Sequence, residues 1–389
     1  MFFSMTQCHL FRLVGAVGLL VQLTSAGELS GQPARRDSIS LSDIPLDRPA
    51  FAAFLAKDTA VLVSGPAQYL ALLTPSNRSA VRFASQGEGP GEWRSVDALF
   101  GCVGHSGWVD GRLRRIVWLD PASGRYDRQL ALSTEAGAAG KPVAAACENG
   151  SLWIAFEGRT RGTGTGIVRD TVKIFHLDEE RGAFTLVTQV AGSARMLKNK
   201  GSLNASLRLP WALPPALVAL GQQRVGVVLR TGDSMYVYSA TRGSERALPL
   251  GRAGRAFTTR AHAITLDSMR QVIEDEMEAL KYEEVLRAEF RILQESLRAD
   301  VVFPARWPLV RFAAADPATV GGLVVVEHAD MQTGESCVTV LAPTGRAQRR
   351  RCYAWPGRTV HGVLPDKASL LWFQSNVDGE SWMIRTARP

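Results

Sequence analysis

The side chains in this sequence with a capacity for chemistry are few and scattered. Asp110, Glu157, His328 and Asp330 are oxygen and nitrogen donors in positions that would suit a metal ion, with His105 and His262 near the ends of other strands. A divalent cation such as calcium, held by groups of this kind, would polarise a carbonyl or activate a water, as a hydrolase or lyase requires. None of them shows a paired ligand spacing, such as two histidines four apart on a helix. His328, beside Glu327 and Asp330, is the densest group and reads more simply as a solvated loop cluster; Asp110 reads more simply as a turn-former. Gly162-Thr163-Gly164-Thr165-Gly166 lacks the lysine and following helix of a phosphate loop and reads as a hairpin tip. No catalytic residue and no cofactor is assigned on this basis, the metal being the alternative.

Four cysteines follow residue 26, an even number that suits two disulfides in an oxidising compartment. Cys337 and Cys352 are symmetric about Pro343-Thr344-Gly345, so an in-register hairpin places them opposite each other. Cys102 and Cys147 end the first strands of consecutive units. They read either as a bond across neighbouring units or as two buried thiols. A catalytic thiol has no histidine at a readable spacing.

The elements that position these residues are short strands. From residue 96 the chain reads as four of them with turn signals between: Val96 to Val103, Trp108 to Asp110, Arg115 to Asp120, and Arg128 to Leu132. The same meander precedes it from Phe51 to Ala84 and recurs from Val143 to Val190, Leu217 to Leu250, and Leu309 to Tyr353. The last unit, Val360 to Arg385, is a strand short, and Ser38 to Leu41 can supply the missing one. Units of about 40 to 50 residues with four strands each predict an all-β, six-bladed β-propeller. Gly87-Glu88-Gly89-Pro90-Gly91-Glu92-Trp93 lies between the first two units. Its glycines and proline exclude helix and central strand, so it is a shaped connector rather than a binding loop.

That connector, the run Trp108-Val109-Asp110 to Ser123-Gly124 and the Asn149-Gly150-Ser151-Leu152-Trp153-Ile154 turn together resemble the secreted six-bladed β-propeller family of bacteria, related in architecture to NHL-repeat propellers. The likeness covers roughly residues 38 to 389, with Trp93 standing where the family usually has Phe. It implies a fold and little about activity. Propeller enzymes of the lactonase or lyase type place carboxylates, Asn or His around a metal in the channel, and this is the enzymatic alternative to a binding scaffold.

Arg12 precedes an apolar run from Leu13 to Leu23, and Thr24-Ser25-Ala26 offers a cleavage site, so residues 1–26 read as a signal peptide and 27–37 as a linker. The mature chain is expected in the periplasm or outside the cell, with no membrane span after cleavage. From Thr265 to Asp300 there is no Gly or Pro, and Leu266, Met269, Ile273, Met277, Leu280, Leu286, Phe290, Leu293 and Leu297 form an apolar stripe. This predicts a long α-helical insertion between the fourth and fifth units, broken or not near Tyr282, packed on the propeller or covering one end of its channel. It carries ten acidic and five basic residues in a chain of net charge +8. Arginine outnumbers lysine 38 to 7 with no nucleic-acid module, so the basicity argues for no nucleic-acid partner. The expected partner is a protein or small molecule of unknown identity.

Overall fold

In the computed structural model the described residues are 38–40, 49–56, 59–64, 70–74 and 79–82, most of 85–250 and 310–389, and helical positions between 266 and 295. The expected leader and linker (1–37), His262 and residues 161–165 lie outside them. Among the described residues the strands form six antiparallel sheets. The first is β2 (Pro49–Ala56), β3 (Thr59–Ser64), β4 (Leu70–Thr74) and β5 (Ser79–Arg82); the second is β6 (Ala98–Cys102), β7 (His105–Asp110), β8 (Arg115–Leu119) and β9 (Tyr126–Ala131). A short helix α1 (Thr134–Ala138), capped by the Ser133 hydroxyl, leads into the third: β10 (Lys141–Glu148), β11 (Ser151–Gly158), β12 (Gly166–Asp178), β13 (Ala183–Lys200) and β14 (Leu203–Arg208). The fourth holds β15 (Ala216–Gly221), β16 (Arg224–Val228), β17 (Ser234–Ser239) and β18 (Gly243–Pro249), and the fifth β19 (Val310–Ala315), β20 (Leu323–Asp330), β21 (Glu335–Leu341) and β22 (Ala347–Tyr353). In the last, β23 (Arg358–Pro365), β24 (Ser369–Asn376) and β25 (Ser381–Ala387) are joined by β1 (Ser38–Ser40), which pairs Ser38 with Ile384 and Ser40 with Trp382.

The first strands lie side by side in chain order, β2 by β6, β6 by β10, β10 by β15, β15 by β19 and β19 by β23, and β23 returns to β2. This cyclic order of antiparallel sheets is that of a β-propeller, in which closure leaves no open face at either end of the series. Packing explains why the strands read as apolar runs rather than as alternation. In the second sheet Val109, Ile116 and Trp118 face Leu152, Ile154, Phe156 and Phe175 of the third, while Trp108, Val117 and Leu119 turn the other way toward Leu70 of the first. Both faces of a sheet are thus buried, and β8 is buried at every position. Trp108, Trp118, Trp153 and Trp372 fill these layers at 1% exposure or less.

Neighbouring first strands run in the same direction. Lys141 at the start of β10 pairs with Asp97, just before β6, at 3.1 Å. Gly221 at the end of β15 lies beside the Glu148 carboxylate at the end of β10, and Arg388 after β25 reaches Asp316 after β19 at 2.7 Å. All connections between sheets therefore share one end, together with the turns joining second to third strands. This connector end carries the Gly-rich run, α1, the β11–β12 connection and the insertion after β18.

Two expectations about the chain path are corrected. In the third unit the sequence pattern ends at Val190, but β12 begins at Gly166, β13 continues to Lys200 and β14 adds a fifth strand. The register slips between Arg169–Ala194 and Thr171–Ala191, leaving Asp170 on β12 and Gly192-Ser193 on β13 without ladder partners. Such a bulge bends the ribbon without ending it, which periodicity alone does not register. In the insertion, described positions from Leu266 to Glu274 and from Ala288 to Glu295 are helical, with Met269, Ile273 and Ile292 buried. Gln294 donates to Glu274 at 3.2 Å. Twenty residues of continuous helix would separate them by about 30 Å, so the two helical stretches fold back on each other rather than forming one long helix.

Candidate functional site

The Gly-rich connector is built as a brace. Gly87 N–H donates to Trp93 O at 3.0 Å, Trp93 N–H to Ser85 O at 3.1 Å, and Gly89 N–H to the Glu92 carboxylate at 2.7 Å. The Arg115 guanidinium, buried at 7% exposure, donates to the carbonyls of Glu88 (3.1 Å), Gly89 (3.0 Å) and Glu92 (2.7 Å) and to the Gln129 side chain (2.8 Å). Gly91 holds φ +73° and a β-carbon there would come within 2.9 Å of Tyr126. Three backbone carbonyls of the segment are thus turned inward to Arg115 of β8, while the Glu88 side chain stays exposed beside Arg94.

Asp110 and Glu157, the buried carboxylates with metal-ligand potential, are both consumed by backbone. Asp110 accepts from Arg94 N–H at 2.7 Å, Ser95 Oγ–H at 2.9 Å, Arg112 N–H at 3.1 Å and Leu113 N–H at 2.9 Å. It orders the β7–β8 turn and ties the incoming connector to it. Glu157 accepts from Ser193 N–H at 2.6 Å, a donor that the bulge on β13 deprives of a strand partner, and from Arg208 at 2.5 Å. At the same bulge Arg195 grips Asp170 with two bonds, Nε to Oδ2 at 2.8 Å and Nη2 to Oδ1 at 2.7 Å, and also reaches Thr160 O at 3.1 Å. Asp170 in turn accepts from Thr160 N–H at 3.0 Å. Glu157 and Asp170 thus satisfy the bulge and pin the β11–β12 connection over the connector end.

One cation of this cluster is left over. Arg159 extends into solvent and makes no hydrogen bond or ion pair with a described residue. Loss of hydration where it crowds the cluster, and then Arg195 and Arg208, hold its guanidinium below the ordinary arginine value, Asp170 and Glu157 acting in the opposite sense. Arg208 is a third exposed and spends one nitrogen on Glu157. None of Asp170, Arg159, Arg195 and Arg208 stands out in the sequence. The one available signal is an arginine interrupting the buried run Ala194 to Leu197.

The remaining sequence candidates are dispersed. His328 and Asp330 lie in β20, paired with Ser336 and Glu335, and their side chains, like that of His105, fall outside the described set. Glu327 beside them is buried and meets Arg350 at 3.5 Å. Glu335, Cys337 and Cys352 come within reach of a common ion, but the two sulfurs are bonded to each other, so no thiolate is available. Cys337 and Cys352 are register partners across β21 and β22, as the hairpin symmetry requires. Cys147 is disulfide-bonded too, which removes the reading of two buried thiols; the side chain of Cys102 is outside the described residues.

No family model and no curated protein matches the chain. Solved structures similar to it include a calcium-binding protein, regucalcin, from Agrobacterium tumefaciens, at 13% identity over 90% of this chain and 95% of that one, with a TM-score of 0.47. A luciferin-regenerating enzyme matches at 11% identity over 89% and 94%, TM-score 0.46. A protein from Bacteroides fragilis, described as a putative exported protein, matches at 8% identity over 89% and 92%, TM-score 0.44. No helix among the described residues is long and apolar enough to cross a membrane.

Proposed function

We propose that the chain is a six-bladed β-propeller acting as an exported binding scaffold, with a protein or small-molecule ligand engaged at the connector end, at the channel mouth near the helical insertion. The observation that carries this reading is the commitment of Asp110 and Glu157 to backbone donors and to Arg208, which leaves neither with the open coordination a catalytic ion requires. The elaborations of the fold, α1, the bulged β12–β14 ribbon and the folded-back helices, all belong to connections at that same end, and binding residues concentrate on such additions to a rigid scaffold. Cleavage after Ala26 would release the chain to an oxidising compartment, where Cys102 is the proposed partner of Cys147. Metal analysis of the purified mature protein tests the assignment. Less than 0.1 equivalent of divalent metal is expected; a stoichiometric ion would overturn it in favour of a metal-dependent hydrolase or lyase.

A further inference from the structure

On β24 the row Leu370, Trp372 and Gln374 turns toward the fifth sheet, where Leu370 and Trp372 pack in one cluster with Val324, Val326 and Val338. An amide thus ends an apolar row. Gln374 is fully buried, and its Nε2 has no hydrogen-bond partner, a loss of stability that a leucine in its place would not carry. Its Oε1 accepts from Arg358 Nη1 at 3.5 Å, the long limit of such a bond. Arg358 begins β23. Its backbone N–H is held by Trp355 O at 3.2 Å, and its guanidinium lies over the Trp382 ring with Cζ 4.7 Å from the centroid. Trp382 is in turn the register partner of Gln374 across β24 and β25, so cation, amide and indole share one face of the sixth sheet. They stand where β23 and β25 begin and β24 nears its end, which is the connector end. Among the described residues neither Arg358 nor Gln374 meets a carboxylate. The buried acid of the fifth sheet, Glu327, meets Arg350, and Glu380 binds Asn376. Of the five N–H donors of the Arg358 side chain, the 3.5 Å bond to Gln374 engages one, although burial of the guanidinium already lowers its pKa.

We propose that Arg358, Gln374 and Trp382 form a subsite at the connector end, between the fifth and sixth sheets, that binds the carboxylate of a ligand. The inference rests on the scaffold reading above and names the group recognised. The edge of the guanidinium presents donors matched to the two oxygens of a carboxylate, while Trp382 fixes the plane in which they lie. One positive charge balances a carboxylate, whereas a phosphate brings nearly two negative charges at neutral pH. Arg358 is only part-buried and lies against the buried amide, so a ligand oxygen reaches Gln374 Nε2 as the weak 3.5 Å bond yields. The low polarity around that nitrogen strengthens the bond it then makes.

The test titrates acetate, and separately inorganic phosphate, at constant ionic strength into the mature protein and its variants, read by nuclear magnetic resonance of the indole N–H signals and by thermal unfolding. Acetate is expected to saturate and to shift the indole signal that disappears in Trp382→Phe. Arg358→Gln should weaken acetate roughly 10- to 100-fold, the loss of a charge-assisted bond, and Gln374→Leu roughly 3- to 10-fold, the loss of a neutral one. Without anion, Gln374→Leu should melt no lower than wild type, because a buried donor without an acceptor has been removed. Absence of saturation with acetate, unchanged binding by either variant, tighter binding of phosphate than of acetate, or a Gln374→Leu protein that melts lower would each overturn the proposal. Metal content is measured separately: a metal-free protein that does not bind acetate refutes the subsite alone, whereas a stoichiometric metal refutes the scaffold reading itself.

Discussion

Replacing Arg195 by methionine keeps most of the side-chain volume but strips Asp170 of both its charge-assisted bonds. The pair is buried, at 7% and 2% side-chain exposure, and Asp170 would retain only the Thr160 N–H at 3.0 Å. Breaking a buried pair from one side costs about 3–5 kcal/mol, because a charge is left desolvated and unpaired. At 389 residues the unfolding entropy is on the order of 0.8 kcal/mol/K, so the melting temperature should fall by roughly 4–6 °C. Arg181 and Asp178, at 82% and 36% exposure, supply the control: Arg181→Ala should change stability by less than about 1 kcal/mol. The double variant Asp170→Asn/Arg195→Met decides the mechanism. With no charge left buried, it should be more stable than Arg195→Met alone, giving a coupling energy of about 1–3 kcal/mol in the cycle. Thermal and urea unfolding at neutral pH provide the assay. A single variant within 1 kcal/mol of wild type, or strictly additive single effects, would refute the assignment of Asp170 and Arg195 to holding the bulge.

Two further outcomes follow from the described packing. The Cys337–Cys352 bond spans 15 residues, so in the chain-entropy account replacing both cysteines by serine should cost about 3 kcal/mol; a urea midpoint insensitive to the change would show that the hairpin is already fixed by its strands. His176 is buried against Trp153, ring centroids 5.2 Å apart, with Nε2 unpartnered, and burial lowers its pKa below the ordinary 6.5 while Asp178 acts weakly the other way. The unfolded chain therefore takes up the proton first, and stability falls as pH drops through about 6.5 toward the folded-state pKa. Wild type should lose more stability than His176→Phe between pH 8 and pH 5, and equal losses would exclude His176 as the source.

The sequence by itself determined the order of most strands and the Cys337–Cys352 pairing, because each is local, whereas the closure of the last unit by Ser38 to Ser40 was legible from that unit being a strand short. Strand runs bounded by turn residues, and symmetry about Pro343-Thr344-Gly345, depend on neighbours within one hairpin. Apolar density was legible while its partition between faces was not: with a sheet packed on both sides, the period-2 signal that would assign Trp108 to one neighbour and Val109 to the other is erased. Tertiary structure alone decided the role of the charges. Arg115 meets Glu88 across 27 positions, Arg195 meets Asp170 across 25, and Arg208 meets Glu157 across 51. These pairings depend on where the β12–β13 register slips and on how the connector enters β6, neither of which is set by neighbours in the sequence. Glu157 could be picked out in the sequence as a candidate metal ligand by position; that it is buried and serves a bulge followed only from the fold.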